Sequence, residues 1–259
     1  MKRITGNYRE TSVGGETVRA FLPHSLPPSS TPLSLDGELM ALHAAAEASV
    51  ARLSLAGSMV PNTDWFLYGF VRKEAVVSSQ IEGTQATLRD VVTFEATQFT
   101  DRPHDVEEVC NYVAALTYAR REIRRDKGLP LSMRLLSEAH QRLMKGTRGA
   151  EKEPGEIRRS QNWIGGTRPG NAQFVPAPPQ ELPRLLAELE LWFHADNPLP
   201  PLVRAGLAHV QFETIHPFLD ASKAIQILQS AGILREVSGR KRDRVYAYQR
   251  YLEILTAGT

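Results

Sequence analysis

A single cysteine, Cys110, stands in a chain of 259 residues. No disulfide can therefore form within the chain, and such cysteine usage fits a reducing compartment. Cys110 itself reads as a small buried hydrophobe on a helix. Long apolar runs are also missing, since no stretch approaches the roughly 18 consecutive apolar residues that a membrane span needs. The opening residues MKRITGNYRE carry no apolar core and so do not read as a secretory signal. A cytoplasmic protein with no membrane partner is expected. Charge of one sign is lacking too: 31 Lys and Arg against 29 Asp and Glu leave a net charge of +2. That is too weak a field to draw nucleic acid to the chain as a whole, so any basic patch is local. What remains is 42% hydrophobic and 23% charged, the balance of a soluble globular protein. The length allows one large domain or two small ones, with a sizeable core.

Residues 1–36 read as an N-terminal arm. The stretch from Phe21 to Pro32 is too rich in proline and serine for a regular helix. It is expected to lie extended over the body, with Val18, Phe21 and Leu22 as its packing residues; a disordered tail is the alternative.

From Leu35 on, helical periodicity dominates. Leu39, Leu42, Ala46, Val50 and Leu53 recur at helix spacing over 36–56. Pro61-Asn62-Thr63 breaks that run, and Thr63 or Asp64 caps a second helix reaching about Ser79. A third helix begins near Thr84 to Thr87. A fourth spans Val106 to Arg125, and a fifth follows Ser132 as cap. Residues 146–179 lose the period and turn to Gly, Pro and Arg. There Ile157–Trp163 and Ala172–Val175 are expected to pair as a hairpin. Further helices are expected over 179–194, 201–215 and 221–235. Leu234–Val237 and Val245–Tyr248 read as a hairpin with a basic tip of Arg240, Lys241, Arg242 and Arg244, followed by a short helix over 248–255.

The residues with most chemical potential lie in His209-Val-Gln-Phe-Glu213-Thr-Ile-His216-Pro-Phe-Leu-Asp220. His216 ends a helix just before a proline turn. That position suggests an imidazole at an exposed edge, where it can serve as a general base near neutral pH. Asp220 supplies a hard carboxylate suited to Mg2+. His209, Glu213 and His216 also fall at i, i+4 and i+7 on one helical face, a ligand set a transition metal would accept. A purely structural reading, with surface and capping residues only, stays open beside these.

His216-Pro217-Phe218-Leu219-Asp220, preceded by Phe212-Glu213-Thr214-Ile215, resembles the opening of the signature of the Fic (AMP-transferase) family. The resemblance extends in order from about residue 37 to 220. Ser78-Ser-Gln-Ile-Glu82-Gly83 looks like the family's inhibitory-helix motif. Pro154-Gly-Glu-Ile-Arg158-Arg-Ser-Gln-Asn-Trp163-Ile164-Gly165-Gly166, with Ala172-Gln-Phe174-Val175-Pro, looks like its target-docking flap. The resemblance implies a mainly α fold: a Fic-type helical core with a β-hairpin flap. It implies an N-terminal inhibitory helical region over 37–100 and a core over 101–220. It also implies transfer of AMP from ATP to a hydroxyl side chain of a target protein, with ATP and Mg2+ as cofactors. His216 would be the base, Asp220 the metal ligand, and Glu82 the group that restrains the nucleotide. The flap would clamp an extended target segment by strand addition.

The sequence departs from the family after Asp220. There the family continues Gly-Asn-Gly-Arg and then, two residues on, a second arginine, whereas this chain reads Ala221-Ser222-Lys223-Ala224. Alanine and lysine are strained in the left-handed backbone that glycine adopts freely. Lys223 offers a phosphate only a point charge, without the fork of a guanidinium. Residues 221–259 instead resemble the last helix and wing of a winged-helix module, as if a central block had been deleted. Impaired or absent turnover is therefore expected. The rival readings are a non-catalytic docking protein, a DNA-binding regulator using the basic C-terminal hairpin, and a deletion remnant whose exposed apolar helices are covered in a homodimer.

Overall fold

The computed structural model describes residues 4–27, 33, 35–81, 84–147, 152–219, 234–236 and 246–248. It is mainly helical. Two strands, β1 (Gly6–Val13) and β2 (Glu16–Pro23), precede seven helices: α1 (Gly37–Ser58), α2 (Thr63–Ile81), α3 (Leu88–Thr97), α4 (Pro103–Arg124), α5 (Met133–Leu143), α6 (Leu182–His194) and α7 (Pro201–Ile215). Short strands β3 (Leu234–Glu236) and β4 (Tyr246–Tyr248) follow, paired antiparallel with Leu234 opposite Tyr248.

The helix starts follow local chemistry. Thr87 accepts from the Asp90 N–H while Asp90 reaches back to Thr87, a reciprocal capping box that opens α3. Ser132 caps α5 through the Leu135 N–H at 3.3 Å. Prolines 103 and 201 occupy the first positions of α4 and α7, where no intrahelical donor is required.

Two apolar clusters organise these elements. The first gathers Ala75 and Val76 of α2, Ala86, Val91 of α3, and Val106 and Val109 of α4. A part-buried bidentate pair, Arg72 to Glu95 at 2.7 and 2.6 Å, ties α2 to α3 beside it. The second gathers Ala177, Leu182, Leu185, Leu186, Leu189 and Trp192 of α6 with Ile215 at the end of α7. Glu190 joins the halves by accepting from the Met133 N–H at 2.7 Å.

Two sequence expectations need correction. The arm is not simply extended, because residues 6–23 form a regular antiparallel hairpin in register Gly6 to Pro23. Its turn is Gly14-Gly15, both at positive φ (58° and 83°), as a tight two-residue hairpin turn demands. Helix α1 has the predicted span but buries none of its residues; Leu39, Leu42, Val50 and Leu53 are all exposed. Its apolar residues are spread around the axis rather than gathered in a stripe, and it packs against α2. The expected 221–235 and 248–255 helices and the basic tip at Arg240, Lys241, Arg242 and Arg244 lie largely or wholly outside the described residues, and no winged-helix remnant is established.

Burial sorts two leucines of α6. Leu185 is 1% exposed and Leu191 is 73% exposed. Leu185→Ala is expected to lower unfolding free energy by about 2–5 kcal/mol, the cost of a core cavity. Leu191→Ala should stay within about 0.5 kcal/mol. Urea denaturation of the two variants checks the contrast.

Candidate functional site

Helix α7 ends on His216, which adopts left-handed backbone (φ 54°, ψ 65°) and donates its N–H to the Phe212 carbonyl at 2.9 Å. A side chain bearing Cβ resists this conformation by about 1–2 kcal/mol. The surroundings over-determine it. Arg158 donates Nε to the His216 carbonyl at 2.7 Å and Nη2 to the Ala177 carbonyl at 2.6 Å. Longer bonds reach the carbonyls of Ser160 (3.1 Å) and Ile215 (3.4 Å). Its own N–H donates to the Pro217 carbonyl at 2.9 Å. Arg158 is 2% exposed, and among the described residues its guanidinium is bound by backbone carbonyls rather than by a carboxylate. Burial pushes its guanidinium down to about 10, which still leaves it charged at neutral pH. The carbonyls of Ile215 and His216 lie where α7 leaves its last acceptors without intrahelical donors and its dipole is negative. Arg158 thus caps α7 from another part of the chain.

Phe218 is anchored as firmly. Its ring stacks on His140 of α5 with centroids 3.9 Å apart and planes 7° from parallel, and tilts against Phe212. His140 Nδ1 accepts from the Gly155 N–H at 2.8 Å, which orients the imidazole. The His216-Pro217-Phe218 segment is consequently buried throughout, with His216 itself 2% exposed. This corrects the expectation of an imidazole at an exposed edge. The left-handed turn carries the residue off the helix surface and into the protein. For the same reason His209, Glu213 and His216 do not assemble as a metal site: His209 and Glu213 are exposed, and among the described residues no group of three His, Cys, Asp or Glu converges on a metal position.

The flap is smaller than the expected hairpin. Ile164 and Phe174 form one antiparallel bridge, with N–H to O distances of 2.8 and 3.1 Å. Ile164 and Val175 are buried, Trp163 and Phe174 half-buried. Gly165 and Gly166 sit at φ 69° and 74°, and a Cβ on Gly166 would meet the Asn171 carbonyl at 2.4 Å. This is where the turn requires glycine. Asn171 Oδ1 accepts from the N–H groups of Thr167 and Arg168, both at 3.0 Å, and closes the tip.

Ser78 lies near the end of α2, and its hydroxyl donates to Glu74 at 3.0 Å, one turn back along the helix. Helix α2 is held by Arg72, whose guanidinium keeps the Glu95 carboxyl below the usual carboxylate range. Glu82, Gly83, Asp220 and Lys223 lie outside the described residues. Sequence reading did not single out Arg158 or His140. The only signal for Arg158 was its place within the flap resemblance, and nothing in the spacing marked His140.

This architecture defines a class: a helical core with a histidine turn locked at a helix end beside a small β flap. The Fic/DOC family N-terminal region matches residues 40–121, and the Fic/DOC family domain matches residues 130–233, running past Asp220. The chain belongs to the Fic/DOC family. It is 27% identical over 160 residues to protein adenylyltransferase Fic of Drosophila grimshawi, covering 60% of this chain and 31% of that protein. The Drosophila erecta protein of the same name is 26% identical over 160 residues, with 60% and 30% covered. The chain thus spans less than a third of the curated relatives it matches. In fold it resembles a Fic family protein from Desulfovibrio desulfuricans, with TM-score 0.56, 24% identity, and 76% of this chain and 57% of that one covered. It also resembles a Fic-1 fragment from C. elegans, with TM-score 0.53, 18% identity, and 78% and 62% covered.

Two outcomes follow. Replacing Arg158 by Met leaves buried carbonyls without donors and is expected to cost at least about 3 kcal/mol in a denaturant titration. Arg158→Lys should recover part of that loss, and a change below about 1 kcal/mol in both variants would contradict the capping role. For Glu95 the folded value is depressed, so its contribution is full above the unfolded carboxylate range and is lost as pH falls through the folded value. Wild type should therefore lose more stability than Glu95→Gln on acidification below neutral pH, read from urea midpoints across the acid range.

Proposed function

We propose that this chain is a degenerate protein adenylyltransferase. Its ancestral reaction moves AMP from ATP to a hydroxyl of a target protein, and its own turnover is impaired or lost. The family match and the adenylyltransferase relatives support the reaction class. The observation that carries the loss is a mismatch between the two halves of the site. The histidine half is present: the carbonyl of His216, the proposed base, is held by Arg158, and Phe218 two residues on is stacked on His140. The phosphate half has the wrong donors. Between 221 and 233 the only cation is Lys223, and there is no arginine. Arg158 does not substitute, because its N–H groups are committed to the carbonyls of Ser160, Ala177, Ile215 and His216. The residues present therefore do not fit a magnesium-bound triphosphate. Phosphoryl-group chemistry rests on positioning and neutralisation of charge, so a site without its guanidinium donors loses most of its means.

In this reading Asp220 keeps the metal position and Lys223 offers a point charge. Ser78, Glu82 and Gly83 form the remnant of an inhibitory motif whose arginine partner is gone. Residues 37–100 serve as the inhibitory region, 101–220 as the truncated core and 221–259 as a winged-helix remnant.

A second reading, a non-catalytic docking protein, is favoured by the flap. Ile164 directs both its backbone groups at residues 173 and 174. The neighbouring Trp163 N–H is held by the side chain of Asn162 at 2.8 Å. An extended peptide that displaced Asn162 would add on that side of the flap. The basic C-terminal hairpin is the corresponding surface for a DNA-binding reading, and homodimerisation would cover α1.

Incubation with Mg2+ and α-labelled ATP is expected to leave no label on the protein or on a target, even in Glu82→Gly. Robust labelling that disappears in His216→Ala would overturn the loss of turnover. Nucleotide-independent capture of a target that is lost in Trp163→Ala would favour the docking reading.

A further inference from the structure

The N-terminal hairpin does more than cover the body. Its strand β2 lies against the flap segment 172–176, on the side opposite Ile164. The Phe21 N–H donates to the Val175 carbonyl at 2.8 Å. In antiparallel pairing with Tyr8, that outward donation places Phe21 at a position that makes no bond to β1, so its backbone groups face the flap. Val18 (4% exposed) and Ala20 (0%) form one buried cluster with Val175, flanked by Trp163 and Ala172. The rings of Phe21 and Phe174 meet at 6.1 Å.

The second tie is polar. Glu16, next to the Gly14-Gly15 turn, receives Arg168 Nη1 at 2.5 Å and the Gly170 N–H at 2.7 Å. Both donors belong to the flap tip. The carboxylate sits so close to the backbone that a Cβ on Gly170 would lie 2.2 Å from Oε2. Gly170 is not at positive φ, so its lack of a side chain answers to the seat of Glu16 rather than to a turn conformation. Arg168 holds the Glu16 carboxyl below the usual carboxylate range, in keeping with the contact.

We propose that the N-terminal hairpin is a built-in brace for the flap and that Glu16 is its positioning residue. With β2 filling one side of segment 172–176 and Glu16 pinning the tip, a peptide strand would take the Trp163 side, where the side chain of Asn162 now holds the N–H. The inference rests on the reading of the flap as a docking element, but the brace itself is a property of the free chain. A flap held by one bridge is too short to keep its shape alone, since isolated two-stranded ribbons are marginal in water. The brace supplies the missing strand neighbour and a charge-assisted contact at the tip.

Hydrogen exchange on the full chain tests this without a target. In Glu16→Gln and, independently, in Gly170→Ala, the amides of Ile164, Gly170, Gln173 and Phe174 are expected to exchange about tenfold faster than in wild type. The amides of Leu185 to Leu189 in α6 should be unchanged, which separates local release of the flap from general destabilisation. Unchanged rates at Ile164 and Phe174 in both variants would overturn the brace, as would acceleration shared equally with α6. Loss of the docking reading has a different signature, namely target capture that survives Trp163→Ala.

Discussion

A single buried guanidinium holds the functional region together. Arg158 sits in a cage of backbone carbonyls drawn from the flap base (Ser160, Ala177) and from the end of α7 (Ile215, His216). Burying a charge without a counter-ion is costly. Here the cost is offset because the acceptors are dipoles that have few other donors, and because a helix C-terminus favours positive charge. The same contacts fix the left-handed turn at His216. The geometry of the proposed base, the direction of the chain toward Asp220 and the seat of the flap are therefore one problem with one solution.

The flap shows the same economy at its other end. Its segment 172–176 lies between Ile164 on one side and β2 on the other, and its tip is fixed by Glu16 and Asn171. In the proposed brace, one remote part of the chain, the N-terminal hairpin, supplies what this short bridge lacks. In sequence, the histidine turn is followed by a segment, 221–233, that carries no arginine. Both proposed readings draw on the same contrast between a well-held histidine turn and flap and a following sequence without arginine.

Much of the helical frame was legible in the residues. Capping at Thr87 and Ser132, proline at 201, and apolar spacing in α4 placed their elements closely, although α4 begins three residues before the expected Val106, at Pro103. These signals are local, so no tertiary contact can easily override them. The β1–β2 hairpin was not among the sequence expectations, although Gly14-Gly15 lies between two strand-like runs; the prolines that follow exclude a helix but carry no information on strand pairing. The helix spacing of α1 was legible, but not the exposure of its apolar residues, because the elements around a helix decide whether an apolar face is covered.

By itself the sequence determined the family, the helical class, and the chemical inventory of the site: a histidine before proline, a carboxylate four residues on, and no arginine in the thirteen residues 221–233 that follow it. Those are matters of residue type and spacing, which the chain carries wherever it goes. Only the tertiary structure decided that His216 is buried rather than exposed, that His209 and Glu213 do not join it, and that Arg158, 58 residues away, holds it in place. Only the fold, too, brought Glu16 to Gly170 across 154 residues. Backbone carbonyls and N–H groups leave no trace in residue identity, so contacts made to them appear only once the chain has folded.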